Sequence, residues 1–495
     1  MEPLLELDIH LPARSSRELL RALHAQLRAA IVDGRLKPGL RLPSTRAFAQ
    51  ALAVSRNTVI AAYDLLLSEG YVVARSGAGS FVSDVLRPAG ARAPGRRRQP
   101  GDDGPRAPVP APRAMPALPP PVLACDFRLG VPEHRLIRFD VWRRLSARAW
   151  RAFAKQPAGY ARPEGQAALR EGIAHHVSFA RAVSCSPDDV LVTAGAQQAF
   201  DLLARLLVKP GQTVVAVEHP GYPPVRAAFE AAGAKVVPVR VDAEGLVVDE
   251  LPPQARVVYV TPAHQFPLGC VLSARRRAAL LDFARAHRAA IIEDDYDGEF
   301  RFDGRPHDAL KTIDRSDSVF FVGTFSKSLF PALRLGYVVP PPWALASMIV
   351  RKQHSDWHCN LQAQDTLAAF IQEGWLAQHV RKMRRVYAER RAILLDALQA
   401  DFGRWLEPVP GTSGLHLAAL AKPGLDVEQA LAEARRAQVG VYSLREYGTG
   451  KQAPTGLLFG YGAIDDTGIR TGLQRLRRIL GGGTATGKRA AQRGR

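Results

Sequence analysis

After Asp126, short apolar runs rich in β-branched residues alternate with long amphipathic stretches. Runs of this type are typical of buried strands, and the stretches between them have helical periodicity. Their alternation favours an α/β fold with an open, mostly parallel sheet and helices on both faces. We predict strands and helices at the following positions: strands 190–193, 213–217, 235–239, 257–260, 289–292 and 318–322, and helices that include 197–207 and 274–286.

One lysine follows the last of these strands in a chemically informative setting. Lys327 lies in a turn rich in Ser and Thr, and Arg334 follows it seven residues later. A lysine amine can form a Schiff base with the aldehyde of pyridoxal 5'-phosphate (PLP), while hydroxyl groups and a guanidinium hold the phosphate. Alone, the pattern is weak evidence, because most lysines in such turns are simply solvated.

Other strand ends carry residues that suit the same cofactor, since ligands of open α/β sheets bind at the carboxyl ends of strands. The small residues at 194–196 open a helix, whose first amides can bind a phosphate. Tyr222 can stack on a pyridine ring. Asp294 or Asp295 can keep the ring nitrogen protonated, and Tyr296 can bond the phenolate oxygen of the ring. No histidine accompanies the acids at a useful spacing, so we predict no metal site.

The first eighty residues predict a different kind of domain. Helical periodicity covers 17–32, and Ser44 and Ser55 are candidate N-caps of two short helices at 45–52 and 56–66. Two short helices joined by a tight turn are typical of a helix-turn-helix. Two short strands around a glycine-rich tip, near 71–82, predict a wing.

The start of the third predicted helix carries polar residues that suit DNA. Arg56, Asn57 and Thr58 are of types that hydrogen-bond base edges and phosphates. The opposite face of this helix is apolar and is predicted to face the core, with Val59, Ala62, Tyr63 and Leu66.

Charge and proline content divide the 495-residue chain further. Its formal net charge of +20 favours a polyanionic partner, nucleic acid above all. The segment 84–121 holds eleven prolines and seven arginines against three aspartates, so we predict a semi-extended linker. The predicted layout is a DNA-binding domain at 1–83, the linker, a PLP domain at 122–480, and a disordered basic tail at 481–495.

The four cysteines lie far apart in the sequence and have no Cys-x-x-Cys spacing, which indicates a reducing compartment. No segment approaches the roughly 20 apolar residues of a membrane span. We therefore expect a cytoplasmic protein.

Residues 15–83 resemble the winged helix-turn-helix of GntR-type regulators. The matching pieces are 31–36, 38–39, 42–46, 54–59, 69–71 and 77–82. The resemblance implies that DNA is contacted by Arg41, Ser44, Arg46, Ser55, Arg56, Asn57 and Thr58, with Arg75 and Gly77 in the wing.

Residues 160–337 resemble the MocR type of these regulators, in which a fold-type I aminotransferase-like domain binds PLP behind the winged helix. Its hallmarks here are 195–198, 264–267, 292–297, 299–301 and 323–337. The resemblance assigns most of the cofactor contacts: Lys327 as the Schiff-base lysine, Asp294 as the partner of the pyridine nitrogen with Asp295 as the fallback, Tyr296 near the phenolate oxygen, Tyr222 as the stacking residue, and Thr324, Arg334 and the amides of Ala196 and Gln197 around the phosphate.

Three further roles follow from the same resemblance. Tyr160 is expected to reach the phosphate of a neighbouring subunit. Either His264 or Gln265 stands where aminotransferases have an asparagine that contacts the ring oxygen. In the small C-terminal lobe, Arg445 is a candidate for binding the carboxylate of an effector, and a plain surface charge is its equal competitor.

Together these features predict a homodimeric, PLP-dependent transcriptional regulator that binds paired DNA repeats. PLP itself or a PLP–amine adduct would be the signal, and genes of vitamin B6, amino acid or amine metabolism would be the targets. An active aminotransferase that carries a DNA-binding head is the alternative.

Overall fold

The computed structural model describes residues 9–11, 16–75, 77–83, 122–155, 159–302, 308–450 and 453–491. The chain divides into two compact units, Met1–Pro116 and Ala117–Arg495. This division falls within the predicted linker at 84–121, which itself lies outside the described residues. The two units are described separately below.

The first unit is a three-helix domain followed by an antiparallel hairpin. Ser44 and Ser55 cap the second and third helices, because their hydroxyls accept from the amides of Ala47 at 3.2 Å and Thr58 at 3.1 Å. The predicted elements are confirmed to within two residues at each end: α1 (Ser16–Val32), α2 (Thr45–Ala51), α3 (Arg56–Ser68), β1 (Val72–Arg75) and β2 (Gly79–Val82).

The core of this unit lies between α1 and α3. The predicted inward face of α3 is confirmed, since Val59, Ala62, Tyr63 and Leu66 are all buried. The Tyr63 hydroxyl donates to the carbonyl of Pro43 at 3.0 Å, which satisfies its buried polar end.

The second unit is built on an eight-stranded sheet, as the strand–helix alternation predicts. The strands of this unit are β3 (Cys125–Asp126), β4 (Leu191–Thr193), β5 (Val214–His219), β6 (Lys235–Asp242), β7 (Gly245–Leu246), β8 (Ala255–Val260), β9 (Ala290–Asp295), β10 (Val319–Thr324), β11 (Gly336–Val339), β12 (Leu406–Pro408), β13 (His416–Ala421), β14 (Val439–Gly440), β15 (Tyr442–Ser443) and β16 (Gly456–Gly460). The strand order of the large sheet is β4-β11-β10-β9-β8-β5-β6-β7, and all neighbours are parallel except those that involve β7 or β11.

Helices cover both faces of the sheet and bury its β-branched residues. The helices are α4 (Phe139–Phe153), α5 (Ala167–Arg181), α6 (Ala196–Leu207), α7 (Pro223–Ala231), α8 (Ala274–His287), α9 (Leu310–Ile313), α10 (Pro342–Ser355), α11 (Leu361–Gln372), α12 (Trp375–Asp401), α13 (Val427–Arg436) and α14 (Asp466–Ala491). One face of the sheet packs on α6, α7 and α10, and the other packs on α8.

A smaller antiparallel sheet, in the order β12-β13-β16-β15, forms the C-terminal lobe. The 27-residue helix α12 packs against this sheet, and β3 pairs with β14 beside it. We expected a disordered tail at 481–495, but residues 481–491 are helical in the structure, because α14 continues to Ala491. The last four residues lie outside the described part of the chain. Across the described ranges, the structure has no helix whose length and apolarity would let it cross a membrane.

Candidate functional site

Strand register brings the predicted site residues of the second unit to one edge of the large sheet. Thr324, at the end of β10, pairs with Gly336, and Gly336 pairs with Thr193 at the end of β4. On the other side of β10, Asp294 pairs with Val322. The residues that follow β4, β9 and β10 therefore lie side by side, although they are far apart in the sequence.

An anion-binding site, here called the phosphate cradle, is formed by residues 194–198 with Thr324, Ser326 and Arg334. Gly195 precedes α6 with a φ of +77°, and the Arg334 guanidinium donates to the carbonyl of Ala194 at 2.6 Å. The Thr324 hydroxyl accepts from the amide of Ser326 at 3.2 Å. A helix N-terminus, a guanidinium and two hydroxyls are thus brought together, which is a combination suited to phosphate.

The amine of Lys327 lies in a confined position beside the main chain. Its Nζ donates to the carbonyl of Gly130 at 2.7 Å. A Cβ atom on Gly130, whose φ is +68°, would lie 2.6 Å from this Nζ, so a side chain at that position would displace the amine. Burial lowers the pKa of Lys327, although the carboxylates of Asp297 and Asp294 oppose the shift. The neutral, nucleophilic form is therefore more populated than in an exposed lysine.

Asp294 has one occupied and one unoccupied carboxylate oxygen. The Tyr259 hydroxyl donates to its Oδ2 at 2.7 Å, whereas Oδ1 is buried with no hydrogen-bond partner. Burial raises the pKa of Asp294 to about 7, and the Tyr259 hydrogen bond limits that rise. The fallback, Asp295, instead lies 2.9 Å from the buried guanidinium of Arg181. The structure therefore favours Asp294 as the acid that faces a ligand.

Tyr296 is held by a buried network behind the site. Its hydroxyl lies 2.9 Å from Nδ1 of His264, and the same nitrogen lies 2.9 Å from Asp297. His264 is therefore a neighbour of Tyr296, and its Nε2 is directed at Gly269. Gln265 has a different role, because its amide donates to the carbonyls of Pro220 and Phe266 and so fixes the loop.

Tyr222 lies among aromatic rings from both lobes of the second unit. Its ring is 5.6 Å from that of Phe266, which in turn is 5.0 Å from that of Tyr447. Burial raises the pKa of Tyr222 to about 12, so the ring is a neutral phenol near neutral pH. The amide of Gly221 donates to the carbonyl of Tyr447 at 3.0 Å, which ties the loop that carries Tyr222 to the small lobe.

Two predicted residues lie outside this cluster. Tyr160 is 79% exposed, and its ring stacks on Trp357 at 4.6 Å. Arg445 is exposed in a 3-10 turn that ends at Tyr447. Gln197 lies in the first turn of α6, as its predicted main-chain role requires, while its side chain is exposed and donates to the carbonyl of Pro224 at 3.4 Å.

The predicted DNA-contacting residues occupy the start of α3 and its surroundings. Arg56 and Asn57 are exposed in the first turn of α3, and Arg46 is exposed on α2. The Thr58 side chain is not exposed as these residues are, and its contact with DNA stays a prediction. That side chain is 7% exposed and its hydroxyl bonds that of Ser55 at 2.8 Å, because the cap of α3 uses it.

The hairpin places further basic groups beside one another. The Arg75 guanidinium lies over the ring of Phe81 at 4.7 Å, and Arg41 forms a β-bridge with Phe81. Gly77 has a φ of +71° at the exposed tip, a conformation in which glycine is favoured. Basic side chains from two segments thus converge at the predicted wing.

Sequence reasoning missed four residues that touch the predicted ones. Gly130 and Tyr259 contact Lys327 and Asp294 from distant parts of the chain, and no local pattern indicates them. Tyr447 lies in a segment with no motif. Asp297 follows the acidic run at 293–295 and is the one residue of the four whose position in the sequence was a usable signal.

Comparison with known proteins agrees with this division of the chain. Residues 133–457 match the family "Aminotransferase class I and II", and residues 19–82 match "Bacterial regulatory proteins, gntR family". The probable rhizopine catabolism regulatory protein MocR of Rhizobium meliloti is 38% identical over 464 residues, which are 92% of each chain. The pyridoxine biosynthesis transcriptional regulator PdxR of Corynebacterium glutamicum is 31% identical over 94% of this chain and 97% of its own.

A solved structure is similar to the second unit. LysN, the alpha-aminoadipate aminotransferase of Thermus thermophilus, complexed with N-(5'-phosphopyridoxyl)-L-leucine, has a TM-score of 0.67 at 27% identity and covers 73% of this chain and 93% of its own. The chain belongs to the MocR type of GntR-family transcriptional regulators, which join a helix-turn-helix domain to an aminotransferase-like domain.

The cofactor of this domain is pyridoxal 5'-phosphate, and the site fits it. The unpartnered Oδ1 of Asp294 suits a protonated pyridine nitrogen, and the phosphate cradle suits the phosphate group. The confined amine of Lys327 suits covalent attachment of the aldehyde. When bound, PLP supplies an aldehyde and a ring that accepts electrons.

Proposed function

We propose that this protein is a cytoplasmic homodimer whose binding to DNA changes when its larger unit holds PLP, alone or with an amine effector. An operator with paired repeats would be its target, beside genes of vitamin B6, amino acid or amine metabolism. One observation carries the proposal. A single chain holds both a winged helix with Arg56 and Asn57 exposed and an assembled site for PLP.

Each group in the site has a defined task in sensing. The Lys327 amine holds the cofactor covalently, and its lowered pKa favours the neutral form that this attachment needs. The Asp294 carboxylate keeps the ring nitrogen protonated. The phosphate cradle fixes the position of the cofactor, and Tyr296, held by His264, bonds its phenolate oxygen.

An effector changes the affinity for DNA only if it binds two states of the protein unequally. Two winged helices are proposed because two half-sites need two readers, as in other dimeric helix-turn-helix proteins. Tyr160 supports a dimer as well, since an exposed tyrosine stacked on Trp357 is suited to contact a neighbouring subunit.

The test is a DNase footprint on the intergenic DNA beside its own gene, with and without PLP, for three forms of the protein. The wild type is expected to protect paired repeats in a PLP-dependent manner. Lys327→Ala is expected to protect the same repeats with no response to PLP. Arg56→Ala is expected to lose protection while it still binds PLP, because Arg56 is exposed on the other unit.

These two variants separate the two halves of the proposal. A PLP response that persists in Lys327→Ala would show that the site is not the sensor. Unchanged protection by Arg56→Ala would remove α3 from the DNA interface. Selection of DNA from a random pool replaces the intergenic fragment if the wild type protects nothing there, and enrichment of no sequence would refute DNA binding.

The alternative is an active aminotransferase, and the complete set of Lys327, Asp294 and Arg334 favours it. Incubation with an amine donor and an excess of keto acid acceptor distinguishes the two functions. A regulator is expected to convert at most one equivalent of donor per site, whereas an enzyme continues over many turnovers. Sustained formation of the carbonyl product of the donor, with an equal amount of amino acid formed from the acceptor, would favour the enzyme.

A further inference from the structure

Lys352, on α10, is fully buried, which is unusual for a lysine. Its Nζ donates to Oδ1 of Asp356 at 2.7 Å and to Oε1 of Gln198 at 3.1 Å, and it lies 3.6 Å from Sγ of Cys359. Removing a charged group from water is costly unless its donors are matched. All three donors are matched here, so the position of this amine is tightly defined.

The contact with Gln198 leads directly to the phosphate cradle. The same Oε1 also accepts from the amide of Ala194 at 2.8 Å. The carbonyl of Ala194 in turn accepts from the guanidinium of Arg334 at 2.6 Å. One hydrogen-bonded chain therefore runs from the buried amine through Gln198 to the turn that begins α6.

The contacts on the other side of Lys352 lead to the exposed aromatic pair. The Lys352 carbonyl accepts from the amides of Asp356 and Trp357, at 3.1 and 3.2 Å. Trp357 has a φ of +63°, and its ring stacks on Tyr160 at 4.6 Å with an interplanar angle of 27°. Lys352 thus fixes the turn that presents this pair, through both its side chain and its main chain.

We propose that Lys352 is a positioning residue for the cofactor phosphate, which acts through Gln198 and Ala194 on the phosphate cradle. The inference rests on the proposed function, since it assumes that PLP binds at this cradle. It goes beyond that function because Lys352 lies behind the cradle, and it also joins the cradle to the Tyr160–Trp357 pair. A role confined to the ion pair with Asp356 is the competing explanation.

The test compares two ligands, PLP and pyridoxal, which share the ring and the aldehyde but differ in the phosphate. The dissociation constants of both are measured for the wild type and for Lys352→Met, a variant that keeps the length and removes the charge. Loss of one charge-assisted hydrogen bond from the chain is expected to weaken PLP about tenfold. Affinity for pyridoxal is expected to stay unchanged, so the preference for PLP falls by the same factor.

Lys311→Met is the matched control. Lys311 is also partly buried, but its Nζ donates to the carbonyl of Pro340 at 3.4 Å and makes no contact with the cradle. The preference of Lys311→Met for PLP over pyridoxal is expected to equal that of the wild type. The inference would be overturned if Lys352→Met lost affinity for PLP and pyridoxal equally, or lost affinity for neither. Lys352 would then have only a structural role in the ion pair with Asp356.

Gln198→Met tests the same chain from its other end and does not depend on the folding of the lysine variant. It is expected to lower the preference for PLP over pyridoxal as Lys352→Met does. The double variant is expected to lower this preference little further, because both substitutions break the same hydrogen-bonded chain. Additive losses would overturn the link. A wild type that does not bind PLP would overturn the cofactor assignment as well, which distinguishes the two failures.

Discussion

Removal of the Tyr259 hydroxyl is expected to weaken PLP binding in a pH-dependent way. This hydroxyl donates to Oδ2 of Asp294 at 2.7 Å in a fully buried setting, and it is the one hydrogen bond that the structure gives this carboxylate among the described residues. Hydrogen bonds to charged groups contribute about 1.5–3 kcal/mol. At 1.36 kcal/mol per pKa unit, Tyr259→Phe should raise the pKa of Asp294 by about one to two units.

The size of the loss in PLP affinity follows from the pKa of Asp294 in the wild type. The pKa of Asp294 is about 7, so about half of the protein carries the carboxylate at pH 7. A rise of one to two units leaves about a tenth or less in that form, and PLP affinity should fall about five- to fiftyfold at that pH. At pH 9 about half or more of the variant is ionised, so the difference from the wild type should shrink to about twofold or less.

The assay is a titration with PLP at pH 7, 8 and 9, followed by the visible absorbance of bound PLP. The dissociation constant of each variant is divided by that of the wild type at the same pH. Tyr387→Phe is the control. It also removes a buried tyrosine hydroxyl, but this hydroxyl accepts from the amide of Glu133 at 2.9 Å, and Glu133 is not a residue of the site. A Tyr259→Phe defect of equal size at every pH would refute the reasoning, and so would an equal defect in the control.

Three other changes give separate predictions. Burial raises the pKa of Glu218 to about 7, so the folded state holds a proton that the unfolded state loses near 4.5. This proton should make the free energy of unfolding about 2–3 kcal/mol lower at pH 7.5 than at pH 5. Urea melts at these two pH values should show that the fall is smaller by that amount in Glu218→Gln, while other buried carboxyl groups such as Asp294 still contribute. Gly414→Ala, at a φ of +88°, would bring a Cβ against the imidazole of His264, so absorbance titration should show PLP affinity at least tenfold weaker. Leu66→Ala removes a fully buried side chain and should destabilise the winged helix by about 2–5 kcal/mol in thermal melts, with PLP binding unchanged, whereas the exposed Leu65→Ala should change little. An equal fall with pH in the wild type and Glu218→Gln would contradict the first expectation. Retained PLP affinity in Gly414→Ala would contradict the second, and equal melting temperatures for the two leucine variants would contradict the third.

Local signals predicted much of the fold. Ser44 and Ser55 define the starts of α2 and α3 because a capping hydroxyl satisfies an amide that the helix leaves unpaired. The strand runs predicted the order of the elements, so Lys327 and Asp294 were expected at strand ends, which is where they lie. These features depend on neighbours in the sequence, which is why the sequence is enough to find them.

Contacts between distant segments could not be predicted in the same way. The carbonyl that accepts from Lys327 belongs to Gly130, 197 residues earlier in the chain. The choice between Asp294 and Asp295 depends on which face of β9 packs against Tyr259, and that needs the register of β8 on β9. The burial of Thr58 followed from the geometry of its cap, although its residue type suited DNA equally well.

The division of the chain into two compact units has a calorimetric consequence. Each unit has its own buried core, so each is expected to contribute its own unfolding transition. A cofactor that binds only the larger unit raises the melting temperature of that unit by mass action. Any accompanying shift in the transition of the winged helix then measures the free energy by which cofactor binding and the DNA-reading unit are coupled.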